Sequence, residues 1–571
     1  MNTRSSTLTI FSLLGLILGV PFLLRPPASA RETLPTDRTL IIITPHVQQI
    51  SREFGPAFER WHQRTYGQTI RIDWRGPIGT SDLLKLLRAQ YTAAIVAGDI
   101  LPDGSCRPGV MTFDLLFGGG SSDHGRVKDG VTVALGMGED GSPRSARIPM
   151  SVPAGFDTAQ LDEWFGKNQI GTQRLYDPDQ HWIGSALSAF GIVYNRDVYE
   201  RLGLPPPRRF ADLCDPRLAG WVALADPRQS GSIATSFDAI LNNELWTIAR
   251  EEGWSRELDE AIEAEARDRG RHWVKALWEA RGESIQRAWD RGWRILREMC
   301  ANTRYFTSSS TKPPIDVSQG DAAAGLAIDF YGRGQSQFVL RPGQDPEQGR
   351  VGYVNPRGET YIDADPISIL RGGPNPTLAR RFVEFCLTEE GQALWEFPPL
   401  GDRADGSDES TYGPVRFSLR RMPVRRVMYE KHLDRFVDKD LAPYDEASDT
   451  KPARWREAIG VMMGAFAIDV GDLQREAWKA LGRARAAAAV NPALSPTVAR
   501  MEALFYAWPD HAMPMADGRT LAFTPRNLPE IISSWQSRDD PTYMARCRIA
   551  YTEFNRRNYR TIIAIASDAG V

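Results

Sequence analysis

Six short clusters in this 571-residue chain carry side chains able to hold a small solute. His46 follows the β-branched run TLIII and a Thr-Pro pair. Thr80 and Ser81 end the turn Gly76-Pro77-Ile78-Gly79 and lead into the apolar stretch LLKLLRAQY. Gly118-Gly119-Gly120 closes MTFDLLF. Further on, Ser230-Gly231-Ser232 closes WVALADPRQ, Ser308-Ser309-Ser310 precedes a short helical stretch, and Asp329-Phe330-Tyr331 follows the small-residue run Ala322 to Ile328. A hydroxyl residue before a helix reads as a cap. Thr80 or Ser81 is expected to cap its helix, with backbone N–H groups exposed at that helix start. Such starts suit anionic or polar groups. Taken singly, each cluster is also an ordinary tight turn.

The elements that must position these clusters read as alternating strands and helices. Thr39 to Ile43 reads as a buried strand, and Val47, Ile50, Phe54, Phe58 and Trp61 recur at helical steps behind it. QTIRIDW supplies a second strand, so a β-α-β unit with a parallel pair and an open α/β sheet is expected. MTFDLLF supplies a third. Ligands of such sheets sit beyond the carboxyl ends of strands, and His46, the Gly-Thr-Ser turn and the triple glycine all lie there. Gly191 to Tyr194, WVALADP and Ala322 to Ile328 read as later strands. The charged, Trp-bearing span up to Cys300 reads as a helical hairpin and a further helix. Tyr361 to Trp395 reads as a strand (Pro366 to Leu370), a Gly-Gly-Pro-Asn-Pro turn, an amphipathic helix and a second helix opening at Thr388. Beyond Gly401 the pattern is helical. The basic run SLRRMPVRRVMYEKHL reads there as a solvated helix-turn face rather than an anion site.

The bulk numbers fit a multi-domain soluble chain: 42% apolar, 25% charged, net charge −3. Residues 1–30 carry two arginines and no acid, so without them the balance is −5. No basic face for nucleic acid is indicated. Leu8 to Leu24 is apolar apart from Thr9 and Ser12, and Ala28-Ser29-Ala30 follows, so residues 1–30 read as a cleavable export signal, with a retained anchor as the alternative. Five widely spaced cysteines leave at least one thiol unpaired, and Cys386 reads as core. Seven scattered histidines come with no H-E-x-x-H, no G-x-S-x-G and no P-loop, so the usual hydrolase chemistries lack their motifs. Acid pairs for glycoside hydrolysis need not be adjacent and leave an exported hydrolase as an alternative.

Five segments taken in order resemble a known family: TLIIITPH, GIVYNRDVYERLGL, ALADPRQSGSIAT, GDAAAGLAIDFYGR and the stretch Tyr361 to Trp395. Over roughly Thr39 to Phe397 the chain resembles type 2 periplasmic binding proteins (extracellular solute-binding protein family 1), including their iron(III)-transport relatives. The resemblance implies an α/β, two-lobed clamshell with a helical insertion and a helical C-terminal extension. Lobe 1 would comprise 38–190 plus 361–400, lobe 2 191–360 with the insertion at 242–290, and the extension 401–571. It implies a monomeric, extracytoplasmic receptor with no catalytic residues. Such a receptor holds a small solute between its lobes and delivers it to the membrane permease of an ABC importer, with no nucleic-acid partner. The expected ligand-binding residues are His46, Thr80, Ser81, Gly118, Gly119, Gly120, Ser230, Ser232, Ser308, Ser309, Asp329 and Tyr331. In the iron branch His46 and Tyr331 would be metal ligands, although Phe330 breaks the paired tyrosines of that branch and leaves the oxygen donor set incomplete unless a synergistic anion, Asp123 or Asp329 contributes. The solute is thus iron(III) or a small anionic or polar organic molecule such as a phosphonate, polyamine or sugar, with no cofactor required. A sensor that presents its closed state to a membrane kinase is the alternative that uses the extension.

Overall fold

The computed structural model describes residues 38–571 except 138–142, 254–263, 265–272, 342–343, 345–347, 403–411, 440, 448–454, 510–514, 516–517, 537–539 and 541. The proposed export signal, residues 1–30, lies outside the described residues, as does part of the 242–290 span. Among the described residues no helix is long and apolar enough to cross a membrane.

Strand β1 (Thr39–Ile43) lies parallel to β2 (Arg71–Arg75) on one side and β3 (Leu115–Phe117) on the other. The helix Gln48–Tyr66 makes the first crossover and buries Ile50, Phe54 and Phe58 against the sheet. The hairpin β4 (Val131–Met137) and β5 (Pro143–Ile148) and the two-residue β6 (Ser151–Val152) complete this lobe's strands. Strand β7 (Ile183–Asn195) is buried almost throughout and runs from one lobe into the other. The second lobe stacks β8 (Val222–Ala225) between β9 (Thr303–Thr307) and β10 (Ala324–Ile328), with β10 and β11 (Val351–Val354) flanking the distal half of β7. Strand β12 (Ile362–Leu370) then returns antiparallel to the proximal half of β7 and to β3. The order is β2-β1-β3-β12-β7 in the first lobe and β9-β8-β10-β7-β11 in the second, with β7 and β12 as the crossing strands.

The return segment closes the first lobe. Its helix Pro376–Leu387 buries Leu378, Phe382 and Phe385, and Thr388 caps the next helix, Glu389–Glu396, by accepting from the Gly391 N–H at 3.0 Å. Buried Trp395 and Gln392 both donate to the carbonyl of Ser185 on β7, at 3.0 and 2.8 Å. The Gln392 Oε1 in turn accepts from the Val424 N–H at 2.7 Å. This one side chain therefore ties the crossing strand to the C-terminal residues, with its polar atoms satisfied inside the core.

The C-terminal residues divide between the lobes. Leu419, Met422, Val424, Met428 and Phe436 enter the first lobe's core. From Trp455 onward, helices that include Arg456–Met463, Gly471–Val490 and Tyr543–Asp568 cover the second lobe. There they pack on Gly231–Glu251 and Trp273–Ala301, where Trp289 meets Trp455 at 5.1 Å and Phe523 at 4.9 Å. The basic run is not a solvated face: Arg421 and Arg425 are buried and Arg420 nearly so. Met422 and Val424 alternate with them and draw the run into the lobe. The expected side-chain cap at Thr80 or Ser81 is also absent. Gly79 is the cap of the helix Thr80–Val96, and both residues already lie inside it.

Candidate functional site

A cleft of about 260 Å³ lies where β7 and β12 cross between the lobes. Pro45 to Val47, Gly79-Thr80 and Gly119-Gly120 form its first-lobe wall. Ser230, Ser308 to Thr311, Phe330 and Tyr331 form the opposite wall. Ser188, Tyr361 and Asp363 on the crossing strands make the floor, and Arg421 reaches in from the C-terminal segment. Five helices start at this cleft, capped by Gly79, Gly120, Ser230, Thr311 and Ile328. None of the five starts carries a hydrogen bond from the cap residue's own side chain to a first-turn N–H. These helices turn the positive ends of their dipoles toward the space between the lobes, although the start after Gly120 already gives its Ser121 N–H to Asp363.

The first-lobe wall and the floor hold the charge. His46 Nε2 lies 2.9 Å from Asp365 Oδ2 and 2.8 Å from Arg421 Nη1, and all three side chains are buried. Arg421 also pairs directly with Asp365 and donates to Ser188 Oγ at 2.7 Å. Burial pushes the Asp365 carboxyl up, but Arg421 and His46 outweigh it and hold it below the usual carboxylate range. Burial holds the His46 ring below its ordinary pKa despite Asp365, so the ring is neutral. Its Nε2 is thus either an acceptor for Arg421 or a donor to Asp365, and in both cases it is spent. Asp363, two residues before Asp365, keeps one oxygen on the Ser121 Oγ and N–H at 2.8 and 3.2 Å. Its other oxygen is buried without a partner, and burial raises the carboxyl to about 6. On the far wall Ser230 Oγ and Ser310 Oγ lie 2.6 Å apart, which joins two helix starts of the second lobe.

Among the residues proposed from sequence, His46, Thr80, Gly119, Gly120, Ser230, Ser308, Ser309 and Tyr331 border the cleft. Gly118, Ser81 and Asp329 do not. Gly118, at φ +96°, lies under the imidazole, where an added Cβ would sit 2.3 Å from His46 Nε2. Ser81 has moved one residue into its helix, and buried Asp329 faces Arg333, its carboxyl raised to about 6 by burial. The Ser232 side chain lies outside the described residues. Sequence reasoning missed Arg421, Asp363, Asp365, Ser188 and Tyr361. The two aspartates had a signal: in YIDADPISIL they alternate within an apolar strand, which places both on one face. Arg421 had none, because nothing local separates it from the arginines beside it.

The expected ferric ligands His46 and Tyr331 both border the cleft. Tyr361 borders it as well, and burial pushes both phenols up. His46 has spent Nε2, and among the described residues no three His, Cys, Asp or Glu side chains group as metal ligands.

Two α/β lobes, joined by two crossing strands, enclose a polar cleft, which is the two-lobed arrangement expected from the sequence. Residues 156–398 match the model of the bacterial extracellular solute-binding protein family. An uncharacterized protein of Haemophilus influenzae is 24% identical over 259 residues, 44% of this chain, and the chain spans 58% of that relative's length. Among solved structures, the periplasmic binding protein AfuA of Actinobacillus pleuropneumoniae, with fructose-6-phosphate bound, aligns at 17% identity. That alignment covers 62% of this chain and 81% of AfuA, with a TM-score of 0.38. Iron-bound HitA of Pseudomonas aeruginosa aligns at 14% identity over 73% of this chain and 94% of its own, with a TM-score of 0.39. His46, Thr80, Gly118 to Gly120 and Arg421 all lie outside the 156–398 match.

Proposed function

We propose that the protein is an extracytoplasmic receptor that captures a small anionic organic solute between its lobes and delivers it to an ABC importer. The carrying observation is the convergence of five helix starts, edged with serine and threonine, on one cleft between the lobes. Such starts place backbone N–H donors and positive dipole ends around an anion without the desolvation of several cationic side chains. The cleft's size suits a small molecule held on both sides, and closure of the lobes would present one shape to a membrane partner. Residues 1–30 would direct export, and the protein would act as a monomer. We read the role as binding, with the histidine at the cleft already engaged by Asp365 and Arg421. An organic anion is preferred to iron(III) as cargo because the His46 Nε2 is already engaged by these two side chains.

The test is native mass spectrometry with metal analysis on protein purified without refolding, followed by calorimetry with the mass recovered. An organic anion in one-to-one ratio and no iron is the expected result. Stoichiometric iron with a phenolate charge-transfer band lost in Tyr331→Phe would reverse the choice of solute. Unchanged uptake of the bound compound in a deletion strain would remove the transport role.

A further inference from the structure

We infer that Arg421 is the residue that reads the solute's negative charge, and that the C-terminal segment carrying it is therefore part of the binding site. This rests on the anionic-solute reading above. Three observations carry it. First, Arg421 lines the cleft although its neighbours in sequence pack into the first lobe's core. Its guanidinium lies 4.0 Å over the Phe330 ring of the second lobe, so one side chain touches both walls. Second, its donors are only partly used. Asp365, His46 and Ser188 take the two terminal nitrogens, while Nε–H is buried with no partner. An unpartnered buried donor on a cation is costly unless an acceptor arrives. Third, the backbone is bent to put it there. Arg420 sits at φ +49°, a left-handed conformation that disfavours any side chain beyond glycine. That bend sends consecutive arginines in different directions. Arg420 goes to Asp438, at 3.0 Å from its Nε, and to the Arg333 carbonyl at 2.8 Å on the second lobe, while Arg421 turns into the cleft. The backbone of Arg421 is pinned by its N–H donating to the Trp395 carbonyl at 3.1 Å.

The resident pair Arg421–Asp365 is then a preset anchor rather than a closed ion pair. Asp365 and Ser188 fix the guanidinium's orientation, and an anionic oxygen of the solute accepts from Nε–H at the cleft. Carboxylate and phosphate oxygens share this chemistry, and the helix starts complete either one.

The experiment uses the full chain and three probes: glucose 6-phosphate, citrate and inorganic phosphate, with glucose as the neutral control for the first. Affinities are measured by calorimetry for wild type, Arg421→Gln and Arg421→Lys, each checked for folding by near-ultraviolet circular dichroism. For the anion that wild type binds best, Arg421→Gln should lose about 30-fold or more and Arg421→Lys about 10-fold. Any glucose affinity should change less than about 2-fold. Equal loss for glucose and glucose 6-phosphate would make Arg421 a structural residue only and overturn the inference while leaving the anionic reading in place, as would unchanged anion affinity. Should Arg421→Gln fail to fold, Arg421→Lys alone decides by the same criterion. Wild type that binds none of the three anions would overturn both.

Discussion

The first-lobe wall of the cleft, with its floor, and the second-lobe wall handle polarity in different ways. On the first side, charged groups are buried and spend most of their capacity on one another: His46, Asp365 and Arg421 in one cluster, Asp363 on Ser121 beside it. On the second side, Ser230, Ser308 to Thr311, Phe330 and Tyr331 offer hydroxyls and ring faces. A buried charge tolerates little rearrangement, because any movement that removes its partner exposes the full desolvation cost. Hydroxyls and rings tolerate opening, since water replaces what they lose at small cost. The charged cluster therefore belongs rigidly to the first lobe, together with the C-terminal segment that packs there. The contacts that must part on opening are the weaker ones, such as Arg421 over Phe330 and Arg420 to the Arg333 carbonyl.

The strongest way to break this contrast is to remove one member of the buried cluster. Asp365→Ala leaves Arg421 without its counter-ion and should lower unfolding free energy by about 3–5 kcal/mol, read by urea titration at pH 7. A loss below about 1 kcal/mol would mean that the pair behaves as a surface pair and that the first wall is no more rigid than the second. The same pair sets an acid limit. The Asp365 carboxyl is held low in the fold, so its stabilisation is fully present above the unfolded carboxyl pKa of about 4. That stabilisation is lost as pH falls through the depressed folded value.

Gly118 tests the wall at its tightest contact. Gly118→Ala meets both a left-handed backbone and the His46 ring, and should cost about 2–3 kcal/mol. Gly203 is the control. Its φ is +64° with nothing within 4 Å of an added Cβ, so Gly203→Ala carries the backbone cost alone, about 1 kcal/mol. Equal losses at the two positions would remove the steric support of the imidazole from the account.

How far the two walls could be read from sequence follows the same division. Serine clusters and glycine turns announce themselves locally, because helix starts use few residue types, and Thr80, Gly119-Gly120, Ser230 and Ser308-Ser309 do border the cleft. The α/β order was legible for similar reasons: TLIII, QTIRIDW and the Tyr361 to Trp395 segment carry period and turn signals within a dozen residues. The strands β4, β5, β9 and β11 were not: β11 is four residues long, β5 and β9 mix arginine with apolar residues, and β4 ends in a glycine-bearing stretch without turn signals at both ends. The charged cluster was illegible because its partners are 319 residues apart for His46 and Asp365, and 375 for His46 and Arg421. No local pattern marks one arginine of RRMPVRR as buried when tertiary contacts alone decide it.

Asp363 sharpens the contrast through pH. Burial raises its carboxyl to about 6, so the folded state binds its proton more tightly than the unfolded chain does. Its contribution to stability is full below the unfolded value of about 4 and falls as pH rises through about 6. Above that value a bare carboxylate stands at the cleft floor and repels an anionic solute. Affinity for such a solute should be about 3- to 10-fold higher at pH 5 than at pH 7.5 by calorimetry, and Asp363→Asn should flatten the difference. A pH-independent affinity in wild type would place the anion away from the floor.

The smallest effect belongs to the hydroxyl wall, and its smallness is the point. Ser230→Ala removes the 2.6 Å contact with Ser310 Oγ, a neutral hydrogen bond whose net worth is about 1 kcal/mol or less. Unfolding free energy should fall by no more than that, because Ser230 and Ser310 are both uncharged and the nearby Arg456 keeps its own acceptors at Gly231 and Thr235. Binding should fall too, by about 3- to 5-fold, since the same hydroxyl borders the cleft at the start of the helix Gly231–Glu251. If Ser230→Ala cost as much stability as Asp365→Ala, the second wall would be as tightly interlocked as the first, and the division between a fixed charged wall and a yielding hydroxyl wall would fail. A binding loss with stability intact would instead place the solute's contacts on both lobes, which is what closure around it requires.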